Sequence, residues 1–173
     1  MNTTIDIPTL HTDRLILRAF RADDWDALAD LNADAVFRRY LGGPWTRDRT
    51  YAEMESALGQ WALRGYGLFA VEQNGVLIGR VGILHPVDWP GPELAWGIAP
   101  AGWGQGLAVE AARAVLDWAC ATRRIDQLIS LINPANVQSV RVAEKLGASR
   151  GESVTVRDFV ADIWVHAPPN AGA

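Results

Sequence analysis

The chain has 173 residues, 49% hydrophobic and 21% charged, with a formal net charge of −4. That length and apolar content suit one domain, spanning residues 1–173, with a sizeable core. The acidic balance offers no basic field for nucleic acid. The lone Cys120 excludes an internal disulfide or a cysteine-cluster metal site. His11, His85 and His166 show no ligand spacing, so no metal is expected. No apolar run is long enough to span a membrane. The opening Met1-Asn2-Thr3-Thr4 lacks a basic, apolar signal pattern, so the expectation is a cytoplasmic protein.

In chain order, residues 1–9 read as an arm and Thr12–Arg18 as the first strand, with Leu15 and Leu17 on one face. Asp23-Asp24 supply N-cap chemistry for a helix that carries Trp25, Leu28 and Leu31 as a stripe, with Ala29 beside it. A second short helix is expected over Ala33–Tyr40, stopped by Gly42-Gly43-Pro44. Thr46 caps a helix over Arg47–Arg64, in which Tyr51, Met54, Leu58 and Trp61 step along one face and Gly65 ends the run. Trp25, Trp45 and Trp61 lie in or beside these helices, and each serves either core packing or substrate contact.

Tyr66–Glu72 and Val76–Leu84 read as strands joined by an Asn74-Gly75 hairpin. Gly79 and Gly82 mark bulges or close backbone approaches. After the His85–Pro92 loop, Glu93–Ile98 is the fourth strand. The apolar Gln127–Ile132 suits a parallel strand buried on both faces, reached by a right-handed crossover. Asn133-Pro134 is a helix cap followed by proline, the helix runs to Lys145-Leu146, and Gly147 ends it. Val154–Val156 and Phe159–Val165 read as a closing hairpin, and residues 167–173 as a disordered tail.

The chemistry concentrates between the fourth strand and the next helix, where Gly102, Gly104 and Gly106 alternate. Ala108, Ala111, Ala112, Val115 and Ala119 then repeat at the helical period. A helix entered through such a turn aims unpaired N–H groups and a partial positive charge at one spot, which suits a pyrophosphate. A dinucleotide fingerprint fails, because Leu107 or Val109 stands where its third glycine belongs, and a P-loop fails for want of its lysine.

Trp103-Gly104-Gln105-Gly106-Leu107-Ala108 resembles the coenzyme A pyrophosphate loop of the GNAT N-acetyltransferase superfamily, in the aromatic-led variant of its RimJ/RimL-like branch. Thr12-Asp13-Arg14-Leu15-Ile16-Leu17-Arg18 resembles that branch's opening. Asn133-Pro134-Ala135-Asn136-Val137-Gln138-Ser139 with Glu144-Lys145-Leu146-Gly147 resembles the superfamily's second signature. The resemblance covers about Thr9–His166. It implies an α/β (α+β) GNAT fold, with a mixed twisted sheet of about six or seven strands splayed between the fourth and fifth, and flanking helices, of which those before the main sheet wall the acceptor side.

It also implies acetyl-CoA as cofactor and a primary amine, a protein N-terminus or a small molecule, as acceptor. Transfer would be direct in a ternary complex, and the protein a monomer or homodimer. The open edge of Trp96, Gly97 and Ile98 would pair with pantetheine, with a bulge at Gly97, and an N–H near Gly97 or Ile98 would hold the thioester carbonyl. Trp103, Gly104, Gln105, Gly106, Leu107 and Ala108 would take the pyrophosphate, and Glu110 belongs to the same motif.

Amine attack needs a proton acceptor. Glu93 is the candidate base, against a solvated edge glutamate, and Asp88 is the weaker alternative. The tyrosine of many family members, which would protonate the leaving thiolate, is replaced by Ala143. Ser139, one turn earlier, is either the alternative donor or a serine bonded to backbone. Asn136 would orient the pantetheine arm or Ser139, and Asn133 would cap the helix. The rival reading is a non-catalytic acyl-CoA-binding sensor or partner module.

Overall fold

Alternating apolar residues and local turn chemistry build most of the sheet. In the computed structural model, which describes residues 5–122, 125 and 127–167, the strands are β1 (Leu10–His11), β2 (Ile16–Arg18), β3 (Leu68–Gln73), β4 (Val76–Leu84), β5 (Glu93–Ile98), β6 (Leu128–Ile132), β7 (Ser149–Val156) and β8 (Phe159–His166). The helices are α1 (Trp25–Ala33), α2 (Arg47–Arg64), α3 (Leu107–Thr122) and α4 (Val137–Lys145). The sheet order is β1-β2-β3-β4-β5-β6-β8-β7. Residues 1–4 of the expected arm and 168–173 of the expected tail lie outside the described residues.

Several elements follow from contacts within a few residues. Thr46 accepts a hydrogen bond from the Arg49 N–H at the start of α2, and Gly65 ends it in the left-handed region at φ 70°. Asn74 and Gly75 both have positive φ, 51° and 79°, the geometry of a two-residue turn matched to strand twist. Gly79 and Gly82 mark close approaches, since a Cβ there would collide with the Gly97 and Gly67 carbonyl oxygens.

The sheet separates two layers. Phe69, Val71, Val81, Ile83, Leu94 and Ile98 face α3, which answers with Leu107, Ala111, Ala112, Val115, Leu116 and Ala119. On the other face Leu68 and Ala70 pack with Leu28 of α1 and Met54 and Ala57 of α2. Along β5, therefore, Leu94, Trp96 and Ile98 turn toward α3, while Glu93, Ala95 and Gly97 turn toward α1 and α2.

Five expectations are corrected. The first strand is broken: Leu10–His11 pairs with Ile16–Leu17, giving an eighth strand that the hydrophobic pattern does not announce. Asp24 stands at the N-cap position of α1, but its carboxylate bonds no α1 N–H; it is buried, chelates the Arg18 guanidinium at 2.7 and 2.8 Å, and accepts the Arg21 N–H. No helix forms over Ala33–Tyr40, because α1 ends at Ala33 and the Asp34 carboxylate accepts the Val36 and Phe37 N–H groups at 2.6 and 3.1 Å, bending the chain into turns. The cap of α4 is Asn136, with its Oδ1 on the Ser139 N–H, whereas Asn133 makes its own turn to the Ala135 N–H. Gly97 carries no bulge: β4 and β5 pair without interruption from Leu84↔Glu93 to Gly79↔Ile98.

Candidate active site

The splay sits where expected. β5 and β6 run parallel but share one register pair, Glu93↔Ile129. The Ile129 N–H reaches the Pro92 carbonyl, and the next rung of a parallel ladder would join the Leu131 N–H to the Leu94 carbonyl. Both groups are diverted. The Leu131 N–H donates to Glu93 Oε1 at 3.3 Å, and Leu94 O accepts the Ser130 hydroxyl at 2.6 Å. Ser130 in turn accepts from His166 Nε2 at 2.8 Å. Burial, then the charge of Arg113, pulls His166 down to about 4, so it is a neutral donor at physiological pH. Side chains thus close the ladder and the strands part.

Beyond this point the edge of β5 is open. The Ala99 N–H bonds to the Ile78 carbonyl, and antiparallel alternation then places the Gly97 N–H on β4 and turns the Trp96 and Ile98 backbone groups toward the gap. The Ile98 carbonyl is already taken by the Trp103 indole N–H at 2.7 Å. That bond pins the glycine turn to the strand end.

The turn itself is a 3₁₀ segment, Pro100–Gly102, followed by residues 103–106 and the first turn of α3. Gly104 and Gly106 both take left-handed φ, 74° and 77°. A Cβ at Gly104 would meet nothing within 4 Å, and one at Gly106 only the Arg14 guanidinium at 3.8 Å. The result is a concave row of N–H groups at a helix start, open on one side, which fits a pyrophosphate.

Arg14 and Thr12 buttress the turn. Thr12 Oγ1 and the Arg14 N–H donate to Glu110 Oε1 at 2.6 and 2.9 Å, and Arg14 Nε to Oε2 at 2.7 Å. Arg14 also donates to the Gln105 carbonyl at 3.0 Å. Burial works against the Glu110 charge, but the bonds from Thr12 and Arg14 outweigh it and hold its pKa below the ordinary value. Arg14 is half exposed, so the ion pair adds little to global stability. Arg14→Ala is expected to weaken coenzyme A binding by about tenfold, or about 1.4 kcal/mol, with little change in melting temperature. Calorimetry and thermal melting check this, and an unchanged affinity would mean the turn holds its shape alone.

A cleft of about 690 Å³ joins the turn, the open β5 edge, the start of α4 and the segment 36–41. Ten expected cofactor contacts line it: Trp96, Gly97, Ile98, Trp103, Gly104, Gly106, Leu107, Ala108, Asn136 and Ser139. Gln105 does not, because its side chain folds back onto the Ala101 carbonyl at 3.0 Å. The cleft also receives Phe37, Arg39, Arg141 and Lys145, which sequence reasoning missed. Arg141 and Lys145 follow Ser139 along α4 with a four-residue spacing between them, a legible signal. Phe37 and Arg39 had none, since the turns set by Asp34 place them.

Ser139 is half-buried, with its N–H on Asn136 Oδ1 at 3.2 Å. Ala143, one turn later, is fully buried in a cluster with Ile132 and Trp164, so the position where the sequence resemblance implies a tyrosine is given to packing. Glu93 lies away from the cleft lining and is 9% exposed. Its Oε2 accepts the Trp89 indole N–H at 2.5 Å. Burial, only partly offset by the Trp89 and Leu131 bonds, pushes its pKa up to about 7. Asp88 is exposed and chelated by Arg157 at 2.9 Å through both oxygens, which holds its pKa below the ordinary value and makes it a weak base.

Comparison with known proteins agrees with this geometry. Residues 14–149 match the model of the acetyltransferase (GNAT) domain. YkkB of Bacillus subtilis is 33% identical over 165 residues, covering 91% of this chain and 93% of that protein. YnaD of the same organism, named as an N-acetyltransferase, is 27% identical over 140 residues, covering 80% of this chain and 81% of that protein. The crystal structure of an acetyltransferase from Agrobacterium tumefaciens superposes with a TM-score of 0.86 at 32% identity, covering 96% of this chain and 98% of that one. The glycine cradle, the parted strands and the extent of these matches lead to one conclusion: this chain belongs to the GNAT acetyltransferase family, whose acetyl donor is acetyl-CoA.

Proposed function

We propose that the protein is an N-acetyltransferase of the RimJ/RimL-like branch, which moves acetyl from acetyl-CoA to a primary amine, a protein N-terminus or a small molecule, by direct attack in a ternary complex. The observation that carries this reading is one continuous cleft from the glycine cradle to the open β5 edge, with a buried carboxyl group, Glu93, on the acceptor face of the same strand. Bound acetyl-CoA supplies an acetyl group activated as a thioester.

The chain's own groups divide the remaining work. Gly104, Gly106 and the first N–H groups of α3 hold the pyrophosphate, and Arg39, Arg141 and Lys145 supply positive charge around it. The Trp96 backbone pairs with pantetheine. The Ile98 N–H, directed to the gap, is the donor for the thioester carbonyl. Glu93 accepts the amine proton. By the strand rise it begins about 13 Å from Gly97, so the proton reaches it through a chain of waters. Ser139 gives a proton to the departing sulfur and takes one back from solvent water as it does so.

Thiol release from acetyl-CoA, measured across amines and N-terminal peptides, tests the proposal. Coenzyme A binding without release from any amine would favour a non-catalytic acyl-CoA-binding module, the reading that Ala143 in the tyrosine position favours. Ser139→Ala is expected to lower kcat by about tenfold or more and leave coenzyme A affinity unchanged. An unchanged kcat, with chemistry limiting, would make Ser139 a structural residue and water the donor.

A further inference from the structure

Arg38, Arg49 and Arg80 come from the segment after α1, from α2 and from β4, yet they gather on one indole. Their guanidinium carbons lie 3.8, 4.5 and 5.4 Å from the Trp45 ring centroid. No ion pair neutralises any of the three among the described residues. Arg38 donates to the Leu41 and Gly43 carbonyls, and Arg80 to the neutral Asn32 Oδ1 at 3.3 Å. The carboxylate that counts against them is Glu53, one turn beyond Arg49 on α2, and it forms no ion pair with the cluster. Three cations therefore face one anion. Burial, then the charges of Arg80 and Arg49, pulls Arg38 down to about 9. Two buried donors in the cluster, Trp45 Nε1 and Asn32 Nδ2, also lack a protein acceptor. Uncompensated cations beside unmatched N–H donors call for a ligand that only accepts, which is the chemistry of an oxyanion.

The position of the cluster says which ligand. Arg80 stands directly across from Gly97 in the β4–β5 ladder, so both turn to the same face. On that face a Cβ at Gly97 would sit 3.0 Å from the Phe37 ring, and Gly97 and Phe37 both line the cleft. Glu93 is four residues back along the same face. The cluster thus adjoins the stretch of β5 where the acetyl group is placed, on the side opposite α3.

We propose that the acceptor amine also carries an oxyanion, a carboxylate or a phosphate, that docks on Arg80 and Arg49 against Trp45, with Arg38 behind them. This rests on the N-acetyltransferase reading above. The site then selects amino acid-like or phosphorylated amines and repels polycationic ones.

The test uses aminoalkyl carboxylates and aminoalkyl phosphonates of increasing chain length, each beside its neutral amide or ester, with the full chain and saturating acetyl-CoA. The expected kcat/KM of the better oxyanion series exceeds that of its neutral partner by at least tenfold. That ratio is expected to fall toward one in Arg80→Gln and in Arg49→Gln, the second being an exposed position whose substitution keeps the fold. The series that gains more identifies the oxyanion as carboxylate or phosphate. Ratios near one in the unaltered protein, or ratios that survive both substitutions, would overturn the proposal and leave the arginines as a clamp for the loop. So would a loss of coenzyme A affinity in Arg49→Gln with the acceptor ratio intact, which would assign the cluster to the cofactor. If no amine releases thiol, the transferase reading fails separately. Calorimetric binding of the same carboxylates and amides to the coenzyme A complex then decides the cluster's role, with equal affinities overturning it.

Discussion

Glu93→Gln is expected to lower kcat at pH 7 by about 10²-fold or more, within the usual range for losing a general base, with acetyl-CoA affinity unchanged. Glutamine keeps the size of the side chain but cannot take a proton. Because burial raises the Glu93 pKa to about 7, the base form grows as pH climbs through neutrality. The unaltered enzyme should show a rate limb with an apparent pKa near 7, well below the acceptor's own value of about 8 for an α-amine or about 10.4 for a lysine. In the variant that limb should vanish and the rate should follow the amine. A deficit that is equal at every pH would make Glu93 a group that positions the acceptor, and no deficit would remove it from the mechanism.

Stability gives an independent reading of the same carboxyl group. Its folded pKa lies above the ordinary value of 4.5, so the folded state holds the proton more tightly than the unfolded chain. The favourable contribution is complete below about 4.5 and is lost as pH rises through about 7. At full ionisation the loss is of order 3 kcal/mol. Chemical unfolding between pH 5 and 8 should therefore show stability falling in the unaltered protein, and a flatter curve in Glu93→Gln. The variant also starts lower at pH 5, since its amide nitrogen faces one of two donors, the Trp89 indole or the Leu131 N–H. Parallel curves would mean that Glu93 does not change charge in this window.

Gly106→Val is expected to reduce coenzyme A affinity by more than about 10²-fold, equivalent to about 2.7 kcal/mol. A Cβ there has room in the protein, meeting only Arg14 at 3.8 Å, so the space it takes is the open side of the cradle. Valine at φ 77° also adds backbone strain of about 1–3 kcal/mol. Gly75→Val separates the two effects. Gly75 has nearly the same φ, 79°, with nothing within 4 Å, but sits in the β3–β4 turn away from the cleft. Both variants should lose several degrees of melting temperature, and only Gly106→Val should lose coenzyme A. Retained affinity in a folded Gly106→Val protein would move the pyrophosphate elsewhere.

What the amino-acid sequence determined by itself are the features whose partners lie within about one turn of chain. The Thr46 cap, the Gly65 stop, the Asn74-Gly75 hairpin and the glycine turn before α3 are of this kind. So are the helical period of α3 and the apolar run of β6, because burial of one stripe or of both faces repeats at the spacing of the element. Ten of the expected cofactor contacts line the cleft for that reason, and Gln105 does not, since its side chain turns back to Ala101.

Tertiary structure decided where a residue had two local options or a distant partner. Asp24 could cap a helix, but Arg18, itself paired with Glu72 on β3, draws it into a buried ion-pair network. Asn133 and Asn136 are equally good caps, and packing of Ala143 against Trp164 of β8 accompanies the later start. Leu10–His11 has no strand pattern of its own and is a strand only because β2 lies beside it. Glu93 carries its raised pKa because the folded chain buries it, an effect that the bonds from Trp89 and Leu131 only partly offset. Arg38, Arg49 and Arg80 form no motif in the sequence. They meet on Trp45 because the sheet places β4 under α1 and α2, and charge acts through space while sequence patterns record only neighbours along the chain.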